Sequence, residues 1–169
     1  RKNSNHKFDK NGNFAANGNK NEIILEQAQE LFENKNERKK KSYDINDFDI
    51  SFARGLTLED GAATLTEFTA KIIASSLNMI LSKTNSKLSK VLVCGGGRKN
   101  KTLIEKIKKN ISKGIIFQNI DDYGVNGDYI ESQAFAYLAI RSLLNLPISF
   151  PETTGVLKPS IGGILIKFK

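Results

Sequence analysis

The sequence is poor in the residues that carry several common chemistries. It has one cysteine, Cys94, and one histidine, His6, in 169 residues. A single thiol excludes an intrachain disulfide and any multi-cysteine metal site, and points to a reducing compartment. With His6 alone in a polar leader, a Ser-His-Asp triad has no credible base. No stretch approaches the roughly 18–20 apolar residues that a membrane helix requires. The first residues, RKNSNHKFDKNGN, hold no apolar core of a signal peptide. The expectation is a cytoplasmic protein with no membrane association.

What is present fits a folded α/β chain. Hydrophobic residues make up 39% of the composition, enough for a core. The length suits one domain or one lobe of a larger protein. The net charge of +8 raises a nucleic-acid module as one reading. Basic residues concentrate at Lys35 to Lys41 and between Lys83 and Lys113. No aromatic residues alternate with them, as a stacking platform would need. The bias toward Lys, Asn and Ile accounts for the charge without a partner.

Periodicity places the elements. Residues 1–20 carry Asn-Gly and Gly-Asn steps and read as turns. Residues 21–34 present Ile24, Leu25, Ala28, Leu31 and Phe32 on one helical face. A long helix runs from about residue 61 to Leu81, with Leu65, Phe68, Ile72, Ser75, Met79 and Ile80 as its stripe. Lys90–Cys94 and Gly114–Gln118 read as short strands, separated by a helix from Asn100 to Ile111. In that helix Leu103, Ile104 and Ile107 point inward. A third helix spans Tyr129–Asn145, with Ile130, Ala134, Phe135, Leu138 and Leu143 as its stripe. Pro147 and Pro151 stop it. A last strand follows Gly163. Helices alternating with short strands imply an α/β architecture with a mixed or parallel sheet.

Three groups could carry chemistry. In VLVCGGGRKN, the turn Gly95, Gly96, Gly97 lets a ligand approach the backbone, since no Cβ intervenes. A helix start beyond it would offer free N–H groups to phosphates. A tight strand-to-helix turn without a ligand explains it equally, and it matches neither the P-loop nor GxGxxG. Glu131 fits a capping box with Asp128 as N-cap, or a carboxylate facing a polar substrate. Glu59, Asp60, Thr64, Thr66 and Thr69 near a helix start suit dipole and capping roles. Cys94 reads as a small hydrophobe at a strand end.

Six segments, in order, resemble the anhydro-N-acetylmuramic acid kinase family of the sugar kinase, heat-shock ATPase and actin superfamily. FDKNGNFAANG is similar to the family's YDxxGxxAxxG through Asp9, Gly12, Ala15 and Gly18. KKSYDINDF is similar to PKSxxxxxF, with Lys40 in place of Pro and with Lys41, Ser42 and Phe48 kept. DGAATLTEFTA is similar to D-x-x-ATLTxxTA. VLVCGGGRKN is similar to the triple-glycine motif ending in Asn. DDYGVNGDYIESQAFAYLAIRSL is similar to D-x-x-G-hydrophobic-x-x-D-x-hydrophobic-E-A-x-AF-A-x-LA, with Ser132 for Ala. LPISFPETTGV is similar to P-x-x-P-x-x-TGA, with Val156 for Ala.

The resemblance implies the second lobe of an actin-like, ribonuclease H-like ATPase fold, incomplete here. Residues 1–50 would form a variable, loop-rich segment, 51–153 the core of the lobe and 154–169 a terminal strand region. The implied activity uses ATP and Mg2+ to open 1,6-anhydro-N-acetylmuramic acid with water and phosphorylate O6, within murein recycling. By resemblance, Gly95, Gly96 and Gly97 border the adenosine pocket with Asn100 nearby, Glu131 faces the sugar, and the protein forms a homodimer. The family's GTSxDGxD loop and the DTGPGN segment with its catalytic aspartate are not in this sequence, which starts at Arg1. No catalytic residue and no metal ligand is therefore assigned within it. Two readings stay open: part of an intact kinase, or a non-catalytic remnant or partner from a split gene.

Overall fold

The computed structural model describes residues 4–35, 43, 45–82, 89–112 and 115–166. Most of the basic run at Lys35 to Lys41, with Lys40, Lys41 and Ser42 of the PKS-like segment, lies outside these residues.

Among the described residues the architecture is built on one long helix, α3 (Leu58–Ser82), which meets α1 (Asn13–Asn17), α2 (Glu22–Lys35) and α4 (Lys101–Asn110). Ala63, Glu67, Ala70 and Ala74 are buried at helical spacing, and Glu67 bonds Lys106 of α4. This face therefore packs on α4, and its alanines allow a close approach. Thr64 and Phe68 lie on a neighbouring face. Phe68 joins Leu25 and Ala28 of α2 in a small core, with Phe32, Phe48, Phe52 and Ile72 packed around it. The buried stripe differs in part from the expected one: Met79 and Ile80 are more than half exposed, and Ser75 is exposed. The alanine face, which hydrophobicity alone undervalues, is the buried one.

The leader is more ordered than its turn-rich sequence predicts. Residues 13–17 form a helix because Asp9 accepts from the first-turn amides of Phe14 at 2.8 Å and Ala15 at 3.1 Å. The next segment is tied to the start of α3. Asn19 N donates to Asp60 Oδ1 at 2.8 Å, and Asn21 N to Thr64 Oγ1 at 3.0 Å. Thr64 in turn donates to the Asp60 carbonyl at 2.7 Å. Gly18 is pressed so closely on this turn that a Cβ there would overlap the Glu59 carbonyl.

β1 (Ser89–Val93) and β2 (Ile115–Asn119) pair in parallel, Ser89 opposite Ile115 and Val93 opposite Asn119, with α4 as the crossover. α4 covers one face; the Lys108 ammonium sits 5.9 Å from the Phe117 ring centroid. Leu92 and Ile116 stay exposed on the other. The arrangement is α/β, as expected.

Two expectations fail in the C-terminal part. α5 (Ile130–Leu143) forms, but none of its residues is buried. Ile130 and Leu138 are half-buried, while Ala134, Phe135 and Leu143 of the predicted stripe are exposed. No described element covers that face. The strand expected after Gly163 is absent from residues 161–166; a single antiparallel bridge joins Ser149 and Ser160 instead. A strand needs a neighbour to satisfy its backbone, and the described residues supply none. After α5, Pro151 opens the short α6 (Pro151–Thr154).

Candidate functional site

The glycine turn follows β1 directly. Gly95 has φ 72 and ψ 178, a backbone shape that suits glycine and few other residues. Its N–H donates to the Gly127 carbonyl at 2.9 Å. Residues 96–99 then form a 3-10 turn, so α4 starts only at Lys101. The helix thus starts beyond the glycines, within one residue of the expected start at Asn100, and the 3-10 turn precedes it. Asn100 is the N-cap, and its Oδ1 accepts from Leu103 N at 3.0 Å. The Leu103 amide at the helix start is therefore already used, and the Asn100 carboxamide nitrogen has no partner among the described residues. A Cβ on Gly95 or Gly96 would meet nothing within 4 Å, and one on Gly97 only Leu103 Cδ2 at 3.9 Å. The turn presents bare backbone to open space.

Arg98 holds the turn in place. Its side chain is 6% exposed, and it bonds three backbone segments at once. Nε and Nη2 donate to the two Asp121 oxygens at 2.7 and 3.2 Å. Nη1 donates to Asp128 Oδ1 at 2.5 Å and to the Gly95 carbonyl at 2.9 Å. Lys99 bonds the second Asp128 oxygen at 2.5 Å. Gly127 N donates to Asp121 Oδ1 at 3.1 Å. The guanidinium lies over Gly127, where a Cβ would fall 2.6 Å from Nε. The Arg98 bonds, with the Gly127 amide, hold the Asp121 carboxyl down to about 2. Bonds from Arg98 and Lys99 hold the Asp128 carboxyl below its ordinary value, and Arg98 itself is pushed up by both aspartates.

This cluster replaces the predicted capping box. The N-cap of α5 is Tyr129, without a side-chain bond, because Asp128 is taken by Arg98 and Lys99. Glu131 is exposed and bonds no described residue. It stands in the first turn of α5, just beyond the segment that Arg98 secures. Sequence reasoning misses Arg98, Asp121 and Asp128 as a cluster. The available signal is an arginine directly after a glycine run, together with two aspartates in DDYGVNGD.

Other candidates take structural places. Thr64 is buried in backbone bonding, and Thr69 donates to the Leu65 carbonyl at 2.9 Å. Cys94 is exposed, contrary to its reading as a packed hydrophobe, because it follows the last residue of β1 at the open end of the sheet. The loop of the first motif reaches α4: Thr102 Oγ1 donates to the Gly12 carbonyl at 2.9 Å. Among the described residues, no group of three or more His, Cys, Asp or Glu is placed to hold a metal ion. No helix among them is long and apolar enough to cross a membrane.

The joining of the separate motifs through Arg98, Asn100 and Gly12 agrees with a comparison over almost the whole chain. A family model described as anhydro-N-acetylmuramic acid kinase matches residues 1–167. The chain belongs to the anhydro-N-acetylmuramic acid kinase family. A relative of that name from Pelagibacter ubique (strain HTCC1062) is 57% identical over 162 residues, which is 95% of this chain and 43% of the relative. One from Zymomonas mobilis subsp. mobilis is 46% identical over 123 residues, 73% of this chain and 32% of the relative. One from Methylorubrum populi is 43% identical over 125 residues, 74% of this chain and 32% of the relative. The chain thus spans less than half the length of these curated relatives.

Proposed function

We propose that this chain supplies the adenosine-side and sugar-side parts of an ATP-dependent kinase that opens 1,6-anhydro-N-acetylmuramic acid and phosphorylates its O6, giving N-acetylmuramic acid 6-phosphate and ADP. The fold would be the second lobe of an actin-like ATPase. The observation that carries the reading is the bare, braced turn at Gly95 and Gly96, where a side-chain methyl would meet nothing within 4 Å.

The roles that the resemblance implies are supported by three features of the geometry. Gly95, Gly96 and Gly97 offer a backbone edge on which an adenosine can lie without meeting a side chain. The Asn100 carboxamide nitrogen is the nearby donor. Glu131, exposed and without a side-chain partner among the described residues, can accept hydrogen bonds from sugar hydroxyls. Magnesium would enter with the nucleotide phosphates and would supply positive charge to offset theirs.

The resemblance assigns the base that activates water to no residue of this sequence. The 169-residue chain alone is therefore expected to give no ATP-dependent phosphorylation of the anhydro sugar; turnover at the rate of a full-length family member would refute this. Nucleotide contact is tested by titrating the labelled chain with ADP and following its glycine amides by NMR. Shifts confined to Gly95–Gly97 and Asn100 are expected. Their absence, or shifts elsewhere only, would remove the nucleotide reading.

A further inference from the structure

We infer that Arg98 is a positioning residue, which locks the glycine turn to the entry of α5 so that the nucleotide-side backbone and Glu131 keep a fixed relation. The inference rests on the nucleotide reading of the turn, and it concerns a residue that need touch no ligand.

The geometry is specific to such a role. One guanidinium uses Nε and both terminal nitrogens on three segments: the turn itself at the Gly95 carbonyl, the 3-10 turn after β2 at Asp121, and the approach to α5 at Asp128. Planar, bidentate pairing to Asp121 fixes orientation as well as distance. A lysine could satisfy one of these partners and not all of them. The backbone bond from Gly95 N to the Gly127 carbonyl runs beside the guanidinium and closes the same junction. Gly127 is the residue whose lack of a side chain lets Arg98 lie flat across it. Without Arg98, the turn would keep one backbone bond to the α5 approach, Asp121 would lose its cation, and Asp128 would keep Lys99 alone.

The test compares wild type, Arg98→Met, Arg98→Lys and Asp128→Asn in the whole 169-residue chain. Amide exchange is read at Gly95, whose N–H bonds Gly127, and at Gln133, whose N–H bonds the Tyr129 carbonyl at the start of α5. ADP is titrated in parallel. Arg98→Met is expected to speed exchange at both amides by about tenfold or more, with α3 and α4 amides unchanged. ADP affinity should fall about tenfold, and Arg98→Lys should restore only part of it. Asp128→Asn, which leaves the Asp121 pair intact, should loosen Gln133 more than Gly95, and it keeps the test open if Arg98→Met does not fold. Wild-type exchange at both amides in these variants, or acceleration spread evenly over α3 and α4, would overturn the inference. If wild type shows no ADP-dependent shift, the nucleotide reading falls, while the exchange comparison still decides the role of Arg98.

Discussion

The joint between α3 and α4 depends on a buried ion pair whose removal has a calculable cost. Glu67 is 7% exposed and accepts from Lys106 Nζ at 2.7 Å and Asn110 Nδ2 at 3.2 Å. Burial by itself would raise its pKa. The bonds from Lys106 and Asn110, with the charges of Lys106 and Lys20, outweigh burial and hold the carboxyl below its ordinary 4.5. Lys106→Met keeps the packed stem and deletes the charge, leaving a buried carboxylate with one amide donor. Breaking a fully buried pair costs about 3–5 kcal/mol. The Lys106 side chain is 21% exposed, so the site is partly open, and about 2–3 kcal/mol is expected here. That corresponds to about 5–10 °C in melting temperature. In wild type the depressed carboxyl contributes fully above pH 4.5 and loses that contribution as pH falls through its lower folded value. In the variant, burial is opposed only by the Asn110 bond and the Lys20 charge, so the folded pKa rises from its wild-type position, and the penalty is greatest at about pH 7 and shrinks by about pH 4. Urea unfolding at both pH values measures this. A loss under about 0.5 kcal/mol, as for a surface pair, or an equal loss at both pH values would refute the argument. The Glu67→Met/Lys106→Met double variant should regain most of the loss, because it leaves no unpaired charge.

Gly18→Ala should cost about 1–3 kcal/mol in urea unfolding, from overlap with the Glu59 carbonyl. Gly96→Ala has open space and should stay within about 0.5 kcal/mol of wild type, while weakening ADP binding about tenfold. Asp9→Ala removes both acceptors at the start of α1 and should cost about 1 kcal/mol. The Asp121 carboxyl, held to about 2, should titrate near that value by carboxyl-carbon NMR. Its contribution is complete above the ordinary carboxylate pKa and is lost as pH falls through about 2.

Much of the fold is legible in the sequence because apolar periodicity reports what an element can bury. α2, α3, α4, α5 and both strands stand within a few residues of where their patterns put them. Periodicity does not report whether the covering surface is in the same chain, so the stripe of α5 predicts burial that the described residues do not provide. The helix at residues 13–17 is illegible because Asp9 makes it, and propensity does not. In the site, the glycine turn is visible as a composition. Arg98 is not, because its two carboxylate partners lie 23 and 30 residues away in sequence. The capping box fails for the same reason: Asp128 finds two cations at 2.5 Å, and charged bonds outcompete a neutral cap.

The motif residues of this family divide physically into two kinds, and the division bears on function. Asp9, Gly12, Gly18, Asp60 and Thr64 are consumed by internal bonds and contacts. Each already has a sufficient structural reason, so none needs a ligand to explain it. Asp121 and Asp128 are consumed as well, by Arg98. Gly95, Gly96 and Glu131 are different: a Cβ on either glycine would meet nothing within 4 Å, and the Glu131 side chain has no partner among the described residues. A bare glycine run carries a conformational cost unless something uses the room. An unpaired carboxylate in the first turn gains only a small dipole term. Gly95 and Gly96 sit on the backbone that Arg98 braces, and Glu131 stands just beyond it. That placement supports the proposed ligand-bearing role of Gly95, Gly96 and Glu131 over one for the threonines and aspartates of the earlier motifs.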